Sequence, residues 1–222
     1  MSIKNVCSLG TLCHTATLLK RNKLKLVSYP FDWVLSRIDI VEDCLQNDFL
    51  NFLDKKYLVS IDEKKCDHTY YYTPESNTHM FYHHNPTKQC DLEYYNRCIE
   101  RFRSLLKSKE EKLFIITYVN FTYKINNEFI LKIKKLNSLL NLHTTNSKLL
   151  CIVNYLNKEK NSYTITKFDN LDILEIDTIS ESNGSEFVDK VDNDYLDKII
   201  CDLYKFELVS PPINQPLKQY YC

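Results

Sequence analysis

From residue 112 onward the chain alternates between two kinds of stretch. "KLFIITYV" (112–119) and "KLLCIVNYL" (148–156) are near-continuous apolar runs of strand length, and "LDILEID" (171–177) is a third strand segment. Asn127 to Leu140 and Asp194 to Tyr204 instead carry apolar residues at helical spacing. Strands apolar on both faces and separated by amphipathic helices predict a mostly parallel sheet covered on both sides. The front of the chain extends the pattern. "IKNVCSL" reads as a strand, Gly10 as a turn, and Thr11 to Asn22 as a helix with Leu12, Ala16 and Leu19 facing inward. Residues 39–53 read as a second helix with Asp39 as N-cap, through Ile40, Val41, Cys44, Leu45, Phe49 and Phe52. Leu92, Tyr95, Ile99, Phe102 and Leu106 mark a third, capped by Asp91 and running to about Ser108.

Two stretches break the alternation. "LVSYPFDWVLS" (26–36) is a loop, because Pro30 lacks a backbone donor and pushes Tyr29 towards extended geometry. From Tyr57 to about residue 90 the chain reads as short strands, "YLVSI", "TYYYT" and "THMFYHHN", with Pro74 and Ser76 as breakers. The expected architecture is a single α/β domain over 1–222. It has three layers, a mostly parallel sheet with helices on both faces, a small β-rich insertion at about 57–90, and an extended tail from about 209. A length of 222 residues suits one such domain.

Composition narrows the function classes. Lys plus Arg and Asp plus Glu both total 29, so no net field draws the chain to nucleic acid or to an anionic membrane. No stretch reaches the ~18 uninterrupted apolar residues of a membrane span, and the N-terminus lacks the charged leader and apolar run of a signal peptide. Nine cysteines, an odd number with no C-x-x-C pair, fit thiols in a reducing compartment, which points to the cytoplasm.

The candidate chemistry starts at "SLGTLC". Cys13 lies three residues after Gly10, one of only two glycines. It falls in the first turn of a helix at the carboxyl end of a strand, where ligands bind in open α/β sheets. Open N–H groups and the helix dipole there favour a thiolate. The same residues also fit a packed core cysteine, or an anion held at the helix N-terminus. Residues 66–90 concentrate Cys66, His68, His79, His83, His84 and Cys90. Cys66, His68, His79 and His83 are the candidate zinc ligands, with His79 and His83 on one face if "THMFYHH" is a strand. Arg97 and Arg101, four apart, share a helix face suited to an anionic substrate, although Glu93 and Glu100 within reach also fit a solvated salt-bridged face. Tyr70 to Tyr72 with Phe31 and Trp33 are either an aromatic wall or core. Asp192 and Asp194 read as capping charges ahead of the last helix.

Ser8, Leu9, Gly10 and Cys13 form S-L-G-x-x-C, and Ser28, Pro30, Phe31, Asp32 and Trp33 form S-x-P-F-D-W. This double block resembles the opening of a family of papain-like cysteine peptidases of unknown function, with members in bacteria and large DNA viruses. "MFYHHN", "EYYNRCIERFRSLLKS" and the following "KLFIITYV" are similar to later blocks, so the resemblance spans the first half to two-thirds of the chain. It implies a thiol nucleophile at Cys13 and an imidazole base at His83, with His84 as the alternative. Asp32 is either the carboxylate that orients the imidazole or a turn carboxylate capping local backbone. Ser8, Gly10, Phe31, Trp33, Arg97 and Arg101 are the candidate substrate-binding residues. Papain itself sets its cysteine on a helix against an antiparallel barrel, whereas this sequence predicts a parallel sheet. The expected function is thiol-dependent hydrolysis or acyl transfer on a peptide, acyl or glycan substrate, without a cofactor, in the cytoplasm (the host's for a viral member). The rival readings are a non-catalytic binding or host-interaction protein with a pocket for an anion or glycan, and a zinc-dependent enzyme or zinc-stabilised domain.

Overall fold

In the computed structural model, which describes residues 2–72, 79–157 and 159–210, the apolar runs form the middle of a five-stranded sheet. β1 (Ser2–Ile3) and β2 (Asn5–Ser8) lead into α1 (Cys13–Arg21) and α2 (Ile38–Gln46). The hairpin β3 (Leu58–Ser60) and β4 (Cys66–His68) follows, then α3 (Gln89–Lys107), β5 (Lys112–Phe121), α4 (Asn127–His143) and β6 (Ser147–Leu156). β7 (Ser162–Lys167), β8 (Leu171–Thr178), α5 (Lys190–Leu203) and β9 (Lys205–Phe206) complete the described chain. The strand order is β2-β5-β6-β8-β7, with the first four parallel and β7 antiparallel at the edge. β1 pairs with β9 outside this sheet.

Successive side chains of a strand point to opposite faces, and here both faces are apolar. Phe114, Ile116, Leu149, Cys151, Val153 and Ile173 enter one core with Ile40 and Val41 of α2, Tyr95 and Phe102 of α3, and Ile133 and Leu136 of α4. Leu113, Ile115, Leu150, Ile152, Leu174 and Ile176 enter a second core with Leu18 and Leu19 of α1 and Leu196, Ile199 and Ile200 of α5. The result is the three-layer, mostly parallel α/β architecture that the alternation predicts. α1 leaves β2 towards one face and α4 leaves β5 towards the other. The loops at the carboxyl ends of β2 and β5 therefore part, which is where open α/β sheets form their ligand crevice.

Several local expectations are corrected. β7 has no apolar run because an antiparallel edge strand exposes much of its length, and its residues here are half-buried or exposed. α2 stops at Gln46, since Asp48 and Phe49 take positive φ values of 48° and 62°; Phe49 and Phe52 are nonetheless buried. Asp39 lies inside the first turn of α2 rather than capping it. α5 begins at Lys190 with Asp189 as its cap, so Asp192 and Asp194 are within the helix. In the insertion only β3 and β4 are strands. Tyr70 to Tyr72 form a turn and bend, and the segment after residue 78 meets its neighbours through single bridges of Phe81 to Val34 and Cys66. Pro74, Ser76 and the tail from Pro211 lie outside the described residues. Among the described residues no helix is long and apolar enough to cross a membrane.

Candidate active site

The turn that ends β2 requires glycine. Gly10 has φ +96°, and a Cβ there would come within 1.9 Å of Ser36 Oγ. The Ser36 hydroxyl donates to the Leu9 carbonyl at 3.0 Å, and the Gly10 amide donates to Ser8 Oγ at 3.2 Å. This turn delivers Cys13 as the first residue of α1. Leu12, at the N-cap, has no side-chain acceptor to offer, so no side chain caps the first-turn amides of the helix. Thr11 and Thr15 hold that turn against β5: Thr11 Oγ1 donates to the Thr117 carbonyl at 2.7 Å, and the Thr15 hydroxyl bonds Gly10 O at 2.7 Å and Thr117 Oγ1 at 2.8 Å.

Cys13 Sγ lies 3.4 Å from His83 Nε2, although 70 positions separate the two residues. The His83 ring meets Trp33 edge-on at 5.9 Å between centroids, and Lys25 Nζ sits 5.8 Å from the other ring of that contact, Trp33. His84 turns elsewhere. Its Nδ1 lies 2.9 Å from Asp91 Oδ1 and its ring stacks on Tyr94 at 4.2 Å. Asp91, expected as a helix cap, instead joins this loop to α3, since its other oxygen accepts from the Asn85 amide at 2.9 Å.

Burial pushes the Cys13 thiol above its ordinary value; a hydrogen bond from its own backbone N–H opposes the rise and the Asp32 charge adds to it. Burial also lowers His83, with His84 and Lys64 adding to the effect. Both directions favour a neutral thiol beside a neutral imidazole. At Cys13 the effect of burial exceeds that of the backbone amide. A neutral thiol can donate to Nε2 only in the tautomer that carries the imidazole proton on Nδ1.

The other candidates separate into distinct roles. Asp32 is 1% exposed, forms an ion pair with Lys25 and accepts the Tyr29 amide at 2.8 Å. No hydrogen bond joins it to His83 among the described residues, so the local-capping reading describes its contacts and the orienting one does not. Ser8 and Phe31 are fully buried, Phe31 within a cluster of Phe49, Phe52 and Phe102, and a substrate does not reach them. Arg101 donates to the Ser28 carbonyl at 3.3 Å and is thereby committed to the loop. Arg97 forms no ion pair among the described residues, because Glu100 binds Arg103 and Glu93 binds Gln89. Tyr71 donates to Asp43 and Tyr72 to the Leu35 carbonyl, which ties both into local packing.

The zinc candidates are dispersed as well. Cys66 is buried with its thiol on the Asp67 carbonyl, His68 Nε2 meets the Asn51 carbonyl at 3.0 Å, His79 meets Asp67 at 2.6 Å, and His83 meets Cys13. Among the described residues no three His, Cys, Asp or Glu side chains are grouped to hold a metal ion.

Residues unmarked by the sequence reading also approach the site. His14 is buried with Nδ1 2.9 Å from Ser182 Oγ, and Asn120 exchanges two hydrogen bonds with the Ser182 backbone. A histidine beside the motif cysteine was the one visible signal for these. Asn120 stood out only as an Asn-x-Thr sequon, which says nothing of this contact, and Ser182 carried no signal.

A family described as "Putative papain-like cysteine peptidase" matches residues 4–161, a span that contains Cys13, Asp32, Trp33 and His83. No curated protein and no solved structure matches the chain.

Proposed function

From the premise that the chain belongs to this papain-like cysteine peptidase family, we propose that it is a thiol hydrolase or acyl transferase with Cys13 as nucleophile and His83 as its base. The observation that carries the reading is the 3.4 Å approach of Cys13 Sγ to His83 Nε2 at the open end of α1. As the sulfur attacks an acyl carbonyl carbon, its proton passes to Nε2, so the base is used during attack rather than before it. The carbonyl oxygen takes up negative charge opposite the uncapped first-turn amides of α1, whose dipole has the sign to stabilise it. Collapse of the tetrahedral adduct breaks the bond to the leaving group, which takes the proton from His83. A thioester on Cys13 remains. Water, or an acceptor hydroxyl or amine, then attacks the thioester with His83 as base and regenerates the thiol. Trp33, edge-on to the imidazole, holds His83 in its plane. Peptide, acyl and glycan-linked acyl substrates share this first step.

The test is single-turnover acylation by p-nitrophenyl acetate, with the acetylated residue located by mass spectrometry. Cys13 is expected to be acetylated first, and His83→Ala to slow that acylation by about 10²–10⁴-fold. His84→Ala is expected to leave it nearly unchanged. Acylation that survives Cys13→Ala at the same rate would overturn the mechanism.

A further inference from the structure

The residues on both sides of Cys13 touch one loop, and that loop lies in the part of the chain beyond the family match at 4–161. Before Cys13, Leu12 faces Gly184, where a side chain would meet the Leu12 Cδ1 at 3.7 Å. After it, His14 meets Ser182 Oγ at 2.9 Å and packs edge-on to Phe187 at 4.7 Å. The loop runs from the end of β8 to α5, and buried polar side chains hold it at many points. Asp192, 0% exposed, accepts the amides of Ile179 and Ser180 and the Ser180 hydroxyl. Asn193 closes the far end through the Phe187 amide and carbonyl. At the apex, Asn120 at the end of β5 bonds the Ser182 amide at 2.8 Å and its carbonyl at 2.7 Å, while its own amide donates to buried Asn154. Asn154 continues to Thr178 at 2.7 Å, and Thr178 to the Ser180 carbonyl at 2.8 Å. A satisfied buried network of this kind fixes one loop conformation.

We propose that residues 182–184 are the rigid wall that selects which acyl group reaches Cys13, with Asn120 and His14 as its positioning residues. The assignment rests on Cys13 being the nucleophile. The Cys13 thiol meets His83, and the residues on either side of Cys13, Leu12 and His14, both touch this loop. On the loop side the surface is the Leu12 side chain beside a bare glycine backbone, which suits a slender apolar group next to the reacting carbonyl.

The experiment compares alkylation of Cys13 in the full chain by iodoacetamide and by the bulky N-(1-pyrenyl)iodoacetamide, reagents with the same reacting group. Asn120→Ala removes both bonds to Ser182, and Leu12→Ala opens the wall without touching its anchors. The bulky-to-small rate ratio is expected to rise about fivefold for each hydrogen bond lost in Asn120→Ala, and severalfold in Leu12→Ala. Should Asn120→Ala fail to fold, Leu12→Ala carries the test. A ratio unchanged in the folded variants overturns the wall. Failure of the nucleophile reading looks different: His83→Ala then changes neither rate, whatever the ratio does.

Discussion

Acid should unfold this protein partly through one histidine beside the nucleophile. His14 is 0% exposed, its Nε2 has no hydrogen-bond partner, and Arg21 lies along the same helix. Burial first, and the Arg21 charge second, hold its imidazole down at about 4 against an ordinary 6.5. Between those values the unfolded chain binds a proton that the folded protein refuses. Stability is therefore complete above the unfolded value and is lost as pH falls through 6.5 towards about 4. Each pH unit in that window is worth about 1.4 kcal/mol. The loss from this single group is then about 2 kcal/mol at pH 5 and about 3 kcal/mol at pH 4, a large share of a typical domain's stability. The assay is urea denaturation of wild type and His14→Gln at pH 7.5 and pH 5. Gln lowers stability at both values by its own misfit, so the quantity of interest is the difference in pH dependence. Carboxylates and the buried His68 titrate in both proteins and cancel. Wild type is expected to lose about 2 kcal/mol more than the variant between the two pH values. Equal losses would refute the argument that His14 is held neutral by burial.

Two further outcomes follow from the turn and the loop. Gly10→Ala brings a methyl onto Ser36 Oγ at a positive φ, and is expected to cost about 2–5 kcal/mol in a denaturant titration; a smaller loss would mean that the turn relaxes freely. Asp32→Asn leaves Lys25, whose side chain is only 11% exposed, without its counter-charge, and is expected to cost about 3–5 kcal/mol. The same exchange should lower the Cys13 thiol pKa, read from the pH dependence of its alkylation, because the Asp32 charge raises it. A rise instead would restore Asp32 as a partner of the imidazole.

How far the sequence could be read depended on where the apolar surface went. β5, β6 and β8 are buried on both faces, so their composition alone identified them, and α4 between β5 and β6 and α5 after β8 showed one apolar stripe each. β7 is a solvent-facing edge and had no such signature. Of the strand expected over 78–85, the described residues 79–85 form none, because Phe81 and Met80 are buried there while the histidines follow separate partners, a pattern set by tertiary contact rather than by period. The place of Cys13 at the start of a helix was legible from the glycine that follows the first strand. The separation of His83 from His84 was not, since adjacent residues in an irregular segment face whichever way their neighbours allow.

The S-x-P-F-D-W block makes the same point about motifs. Three consecutive residues take three unrelated environments: Phe31 joins the aromatic core, Asp32 enters a buried ion pair, and Trp33 alone meets the candidate base. Their adjacency in sequence reflects the tightness of the turn after Pro30, not a shared role. The negative charge of Asp32 acts against thiolate formation at Cys13, which is the opposite of what a triad carboxylate contributes through its histidine. Burial raises the Asp32 carboxyl and Lys25 opposes that rise, and the same ammonium lies 5.8 Å from the Trp33 ring. The ammonium of the ion pair thus also borders the tryptophan that meets the imidazole. On this arrangement Cys13 meets His83 without a carboxylate behind it among the described residues, and of the three block residues only Trp33 meets that histidine.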